Sequence, residues 1–128
     1  MSEPAGLAGG FSRFRMDFAY DGTDFNGWAK QPKLRTVQGD LLIVLQQIFG
    51  PTDNDFAMRV AGRTDAGVHA DHQVCHFDLT PEQQKRLGRT PLTATRLNNL
   101  LPSDIAVHSV ALAADGFDAR FSAIGRSY

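Results

Sequence analysis

The sequence predicts an α+β domain of the ferredoxin-like class, with a β-α-β-β-α-β order and one antiparallel sheet that carries helices on one face. Three observations predict this class. Several short segments alternate apolar and polar residues, as half-buried strands do. Segments with apolar residues at helical spacing and recognisable capping residues lie between them. The chain has 128 residues, the usual size of one domain.

The first predicted strand covers residues 13–20, where Phe14, Met16 and Phe18 share one face and charged residues share the other. Residues 1–12 are small, polar and rich in glycine, so we expect a mobile N-terminal tail there. The rest of the chain, residues 13–128, is expected to form the domain.

A long connection at residues 21–35 separates the first strand from the first helix. Connections of this length are uncommon unless they are functional or disordered. Its two aromatic residues, Phe25 and Trp28, are expected to be exposed. The helix begins after Thr36, which suits the N-cap position, and ends at Gly50.

The remaining elements follow from alternation, capping residues and turn signals. Thr80, Pro81 and Gln83 form a capping signature for one helix, and Thr90 with Pro91 repeats the start signal for another. The predicted elements are strands at 56–61 and 72–79, helices at 81–87 and 91–101, a strand at 105–112 and an extended segment at 117–128.

Charge and composition exclude several classes of protein. Thirteen Lys and Arg residues against fourteen Asp and Glu residues give a net charge of −1, which disfavours a strong non-specific polyanion binder but allows a local basic groove. No apolar run approaches the ~20 residues that span a bilayer, and no secretory signal is recognisable. The single cysteine, Cys75, cannot form an internal disulfide, which fits a cytoplasmic protein.

The turn at residues 62–70, with the sequence GRTDAGVHA, is the segment richest in functional groups. It joins two predicted strands and presents Arg63, Thr64 and Asp65 between two glycines. A carboxylate close to a guanidinium stays ionised, and an ionised carboxylate can act as nucleophile or general base. The simpler interpretation is a structural turn with an internal Asp hydrogen bond.

A second cluster contains His69, His72, Cys75 and His76, which are residue types that bind zinc. Alternation along a strand places His72 and His76 on one face and Cys75 on the other. No distant Cys or His pair completes the site. We therefore predict no metal centre, and expect ordinary surface and edge histidines.

Basic and aromatic residues occur in two further places. The long connection contains Trp28, Lys30, Lys33 and Arg35, and the end of the chain contains Arg120, Arg126 and Tyr128. Aromatic rings and guanidinium groups stack on unpaired bases, and cations contact phosphates. The alternative is a solvated loop and an edge strand.

Together these residues resemble a known family. The shared segments, in order, are YDGT at 20–23, GW at 27–28, TVQ at 36–38, GRTDAGVHA at 62–70, NLLPSDI at 99–105 and FDARFSA at 117–123, followed by Arg126 and Tyr128. They resemble the N-terminal half of the tRNA pseudouridine synthase A family. The resemblance covers the chain from about residue 13 to its last residue.

The resemblance implies a function and a set of site residues. Enzymes of this family isomerise uridine to pseudouridine in the tRNA anticodon stem-loop, at nucleotide positions 38 to 40, without cofactor or metal. Asp65 would be the catalytic aspartate, acting at C1′ or C6 or on a ribose proton. Tyr128 would pack against the flipped base, and Arg63 would contact the RNA. Arg126, Lys30, Lys33 and Arg35 are further candidate RNA contacts.

The resemblance also implies an incomplete catalytic unit. The family has about twice this length, with two related lobes, and works as a homodimer. We therefore expect this chain to be an N-terminal fragment with little activity by itself. The main alternative is a non-catalytic ferredoxin-like RNA-binding module, which would need aromatic residues for base stacking on its central strands. Phe14 and Phe18 instead lie on the predicted core face, which favours the enzyme.

Overall fold

The computed structural model describes residues 10–88 and 90–113. Its strands and longer helices are β1 (Ser12–Tyr20), α1 (Val37–Phe49), β2 (Arg59–Val60), β3 (Ala70–Leu79), α2 (Pro81–Lys85), α3 (Ala94–Leu100) and β4 (Ile105–Leu112). Two short 3-10 helices cover Gly22–Asp24 and Asp55–Ala57. This order confirms the predicted α+β class, and both helices predicted before the last strand are present as α2 and α3, each shorter than predicted.

The four strands form one sheet in the order β2-β3-β1-β4, and every neighbouring pair is antiparallel. The long strands β1 and β3 lie at the centre, where Met16 of β1 is opposite Cys75 of β3. On the other side of β1, the same residue is opposite Val110 of β4. This order is that of the ferredoxin-like arrangement.

Alternation along β1 places its apolar side chains in the core, as predicted. Phe14 and Phe18 are buried there, together with Phe49 of α1 and with Phe56. The same core contains the apolar stripe of α1 and Leu97 of α3. The helices therefore cover the apolar face of the sheet.

Ion pairs cover much of the opposite face of the sheet. Arg13 forms a bidentate pair with Asp78, and Arg15 forms one with Asp17. The ring of His72 lies 2.8 Å from the other side of the Asp17 carboxylate. Burial acts to raise the pKa of Asp17, but the hydrogen bonds from Arg15 and His72 outweigh it and hold that pKa below its usual value.

Capping residues define the helix boundaries, although not always where they were predicted. Thr36 caps α1, and Thr80 with Gln83 forms the predicted capping box of α2. The next helix begins at Ala94 rather than at Pro91. The reason is that the Thr93 hydroxyl, not Thr90, accepts the backbone N–H of Arg96 at 3.1 Å.

The strand predicted at residues 56–61 is largely wrong. Only Arg59–Val60 pairs with β3, and the preceding residues form a 3-10 helix in which Phe56 has a φ of 56°. Phe56 is nevertheless buried, because this turn directs its ring against Phe49 at a centroid distance of 6.2 Å. Core packing, and not strand alternation, explains the apolar residue at this position.

Two further predictions concern the ends of the chain. The extended segment at 117–128 lies outside the described residues, as do residues 1–9 of the predicted tail. Ser12, the last residue of that tail, already belongs to β1. Within the described ranges, no helix is long and apolar enough to cross a membrane.

Candidate active site

Asp65 lies in the turn that connects β2 to β3, at the edge where β1 ends and β3 and β4 begin. The backbone N–H of Val68 donates to the Asp65 carbonyl at 3.2 Å, and Gly67 has a φ of 78°, which favours glycine. The side chains of Arg63 and Asp65 are exposed. Neither makes a hydrogen bond or ion pair with another residue of the described ranges, so both can contact a ligand.

Thr64, between these two side chains, is held from two directions. Its hydroxyl oxygen lies 2.6 Å from the phenol oxygen of Tyr20, the last residue of β1. Its carbonyl accepts the backbone N–H of Trp28 at 3.1 Å. The backbone next to Asp65 is thereby tied to the sheet and to the long connection. Tyr20 was not among the predicted site residues, although its position as a hydroxyl-bearing residue at the end of the core face of β1 was a signal.

Two glycines allow the long connection to approach the turn closely. A Cβ on Gly22 would overlap the carbonyl oxygen of Val68, and a Cβ on Gly27 would lie 3.0 Å from the carbonyl oxygen of Thr64. Gly27 also has a φ of 87°, which disfavours other residues. The glycines of the YDGT and GW segments are therefore required by backbone contact with the GRTDAGVHA turn.

His69 forms another link between the same two segments. Its Nδ1 accepts the backbone N–H of Gly22 at 2.9 Å, and the same atom lies 3.1 Å from a carboxylate oxygen of Asp21. The Thr23 hydroxyl and backbone N–H donate to that carboxylate and lower the pKa of Asp21. A third link joins the backbone N–H of Gly67 to the carbonyl of Phe25 at 3.1 Å.

The expectation that Phe25 and Trp28 are exposed is wrong. They are only 3% and 2% exposed. The Trp28 ring lies 5.8 Å from that of Phe18, and the Phe25 ring makes an edge contact with Tyr20. The connection is thus a folded layer over the end of the core. Because Trp28 is buried in it, its ring is not available for base stacking.

The basic residues of this connection differ in how they are held. Arg35 forms a bidentate ion pair with Asp104 at 2.8 Å, contacts Asp40, and stacks over the Phe25 ring at 4.2 Å. The hydrogen bonds from Asp104 raise the pKa of Arg35 further. Lys30 pairs with Asp55 at 2.8 Å. Lys33 is exposed and makes no such pair within the described residues.

A cleft of about 430 Å³ lies beside the turn, at the end of β1. Asp21, Asp71 and Asp104 line it together with Tyr20 and His69. Asp65 is not part of its wall. Three carboxylates make this cleft unsuitable for phosphate groups, so RNA would have to approach Asp65 from another side.

The four residues weighed as zinc ligands do not converge. Cys75 is fully buried in the core, where burial raises the pKa of its thiol, whereas His72 lies on the opposite face of the sheet. The described part of the chain contains no group of three or more His, Cys, Asp or Glu side chains able to hold a metal ion. His76 is only 1% exposed, so the expectation of a surface histidine was wrong there. It lies opposite Arg15 and Arg59 on the neighbouring strands.

The central strands also bear on the alternative of an RNA-binding module. Their rings Phe14, Phe18, Tyr20 and Phe77 are all buried. The outer face of β1 and β3 carries the ion pairs of Arg13, Arg15 and Asp17 in their place. Within the described strands this face therefore offers no Phe, Tyr or Trp ring for base stacking. Tyr128 and Arg126, predicted to contact RNA, lie outside the described residues.

Comparison with known proteins gives a consistent set of relatives. tRNA pseudouridine synthase A of Bifidobacterium longum is 50% identical over 127 residues, covering 91% of this chain and 42% of the relative. The enzymes of that name from Corynebacterium glutamicum and Leifsonia xyli are 52% and 50% identical, again over 91% of this chain. They are covered over 41% and 45% of their own lengths, respectively.

No protein-family model matches the chain. The chain spans less than half the length of these curated relatives, and the match lies in their N-terminal part. These identities confirm the predicted resemblance, because about half of the aligned residues are identical over nine tenths of the chain. By sequence, the chain is similar over nine tenths of its length to the N-terminal part of tRNA pseudouridine synthase A enzymes.

Proposed function

We propose that the protein takes part in the isomerisation of uridine to pseudouridine in tRNA, with Asp65 as the catalytic residue. The observation that carries this proposal is the exposed Asp65 carboxylate on a turn that several backbone and side-chain contacts hold against the sheet. The names of the relatives support the same activity.

The reaction needs a carboxylate beside the reacting nucleotide. The glycosidic N1–C1′ bond breaks, the uracil rotates, and a C5–C1′ bond forms. An ionised carboxylate can act at C1′ or C6 as a nucleophile, or remove a ribose proton as a base. All three routes require the carboxylate to reach the ribose and base. The exposure of Asp65 and its lack of partners among the described residues support this role.

The proposed substrate is the anticodon stem-loop of tRNA, at nucleotide positions 38 to 40. A base in or beside a stem must leave the stack before a side chain can reach its ribose, at a cost of a few kcal/mol. The exposed guanidinium of Arg63, two residues from Asp65, is suited to a phosphate or a base edge of the everted nucleotide. Tyr128 is proposed to pack against the flipped base, and Arg126 to contact the RNA.

The long connection contributes unequally to the proposed RNA contacts. Lys33 is the strongest candidate, because it is exposed and unpaired among the described residues. Lys30 would have to exchange its Asp55 partner for a phosphate. Arg35 already pairs with Asp104 and Asp40, so it would have to contact RNA while keeping both ion pairs.

The proposal extends beyond the matched region. We propose that the full-length protein has a region corresponding to the unmatched part of its relatives, and that this region completes the pocket around Asp65. We also propose that the full-length protein acts as a homodimer in the cytoplasm. The open surroundings of Asp65 in the described residues support a pocket with a second wall.

The decisive experiment is Asp65→Asn in the full-length protein. Pseudouridine formation in tRNA should be lost, because the amide cannot act as nucleophile or base. tRNA affinity should stay close to that of the unsubstituted protein, because Asn has nearly the same shape. Asp53→Asn, at another exposed aspartate, is the matched control and should leave turnover unchanged. Retained turnover in Asp65→Asn would exclude the assigned role.

A further inference from the structure

We infer that Tyr20 is a positioning residue, which holds the Asp65 turn at the end of the sheet through its hydroxyl group. The inference rests on the proposed function, because the position of the turn affects turnover only if Asp65 reacts. The structural half of the inference, that Tyr20 orders the turn, can be tested without measuring pseudouridine formation.

The hydroxyl of Tyr20 is specifically directed at the turn. Tyr20 is only 5% exposed, and its oxygen lies 2.6 Å from the Thr64 hydroxyl. A buried phenol requires a hydrogen-bond partner. Among the described residues, Thr64 is the only hydrogen-bond partner of this oxygen. The two residues are 44 positions apart, so this contact joins distant parts of the chain.

The Tyr20 ring is itself well fixed. It is stacked with Phe18 at a centroid distance of 6.0 Å and makes an edge contact with Phe25 at 6.3 Å. Its backbone pairs with Ala70 of β3 and Ile105 of β4, at the point where the three strands meet. The hydroxyl group therefore extends from a rigid support, and Thr64 is located relative to the sheet and not only to its own turn.

The position of Asp65 depends on this support because its carboxylate has no hydrogen bond or ion pair of its own within the described residues. Its location is set by the backbone, and the adjacent residue, Thr64, is the one that Tyr20 holds. A displacement of about 1 Å in a reacting group can lower turnover by a factor on the order of 100. Loss of the hydroxyl should thus affect kcat more than substrate binding.

The test is a double-mutant cycle in the full-length protein with Tyr20→Phe, Thr64→Val and the double variant. We expect each single change to lower kcat by about 10- to 100-fold, with KM little changed. The double variant should be no worse than the more damaging single variant, because both remove the same hydrogen bond. Additive losses would mean that the two hydroxyls act independently, and would overturn the inference.

Two control variants separate positioning from stability. Thr64→Ser keeps the hydroxyl and should retain most of the turnover. Val44→Ala removes apolar volume from α1, where Val44 is buried. It should lower the unfolding midpoint without a comparable fall in kcat. If Val44→Ala lowers kcat as strongly as Tyr20→Phe does, the effect of Tyr20 is one of general stability and the inference is wrong.

Amide hydrogen exchange gives a readout that does not depend on the reaction. Tyr20→Phe should speed exchange at Gly67 and Val68, whose N–H groups donate to the carbonyls of Phe25 and Asp65, while the amides of α1 stay protected. Unchanged exchange in the turn would overturn the inference even if kcat falls. If the unsubstituted protein forms no pseudouridine, the proposed function fails, and exchange still decides whether Tyr20 orders the turn.

Discussion

Gly22 and Val68 are in direct backbone contact, so close that a Cβ on Gly22 would overlap the Val68 carbonyl oxygen. The first residue belongs to the long connection and the second to the turn that carries Asp65. This contact joins two segments that share no strand pairing. It makes the connection a structural part of the candidate site.

Gly22→Ala should therefore displace the turn. We expect a loss of about 2 kcal/mol in the free energy of unfolding, because the new methyl group meets backbone and not a side chain that can move. Turnover of the full-length protein should fall with it. Chemical denaturation and a pseudouridine assay measure the two effects.

Gly62→Ala is the matched control for Gly22→Ala, because Gly62 lies in the turn that carries Asp65 and an added Cβ there would have no atom within 4 Å. Its effect on the unfolding free energy should stay within about 0.5 kcal/mol. Equal losses in the two variants would contradict the importance of the Gly22–Val68 contact.

His69 should be replaceable only by a residue that keeps an acceptor at the Nδ1 position. His69→Phe removes the acceptor for the Gly22 N–H and should cost about 1 kcal/mol of stability. His69→Asn retains an oxygen near the same place and should cost less. Amide exchange at Gly22 distinguishes them, and faster exchange in both variants to the same extent would argue against this hydrogen bond.

Arg35 should contribute to stability as well as to any RNA contact. Its guanidinium joins the long connection to Asp104, just before β4. Because the pair is partly exposed, we expect Arg35→Met to lower the unfolding free energy by only about 1 kcal/mol. Asp104→Asn should have a similar effect, and the two should not add.

Lys33→Met is the comparison for Arg35→Met, since Lys33 is exposed without an ion pair among the described residues. It should weaken tRNA binding without changing the unfolding midpoint. A salt titration of tRNA affinity should show a shallower slope in this variant, because one phosphate contact is lost. An unchanged slope would remove Lys33 from the proposed interface.

Asp17 should make the fold sensitive to acid. Its pKa is lowered in the folded protein, so its contribution to stability is present above the ordinary aspartate pKa of about 3.9 and is lost as the pH falls through the folded value. Asp17→Asn should lower stability at neutral pH and flatten the pH dependence in the acid range. Asp24→Asn, at an exposed position, is the control variant and removes a carboxylate without touching the Arg15–Asp17–His72 contacts.

Local patterns were sufficient for the regular elements. Apolar alternation predicted β1, a high content of strand-forming residues predicted β4, and the capping residues Thr36 and Thr80 predicted where α1 and α2 begin. The pattern failed around Phe56, where an apolar residue enters the core from a turn with positive φ. Alternation records which side of an extended segment is apolar, and it cannot distinguish a strand from a turn that buries the same ring.

The ferredoxin-like order, the core face of β1 and the presence of Asp65 in a turn between two strands were all predictable from local sequence patterns. The burial of Trp28, the pairing of Arg35 and the contact between Tyr20 and Thr64 arise from tertiary packing. These contacts join residues far apart in the chain and depend on how the long connection packs against the sheet. Periodicity and capping are local, so they specify the elements, whereas the position of the Asp65 carboxylate is set by packing between them.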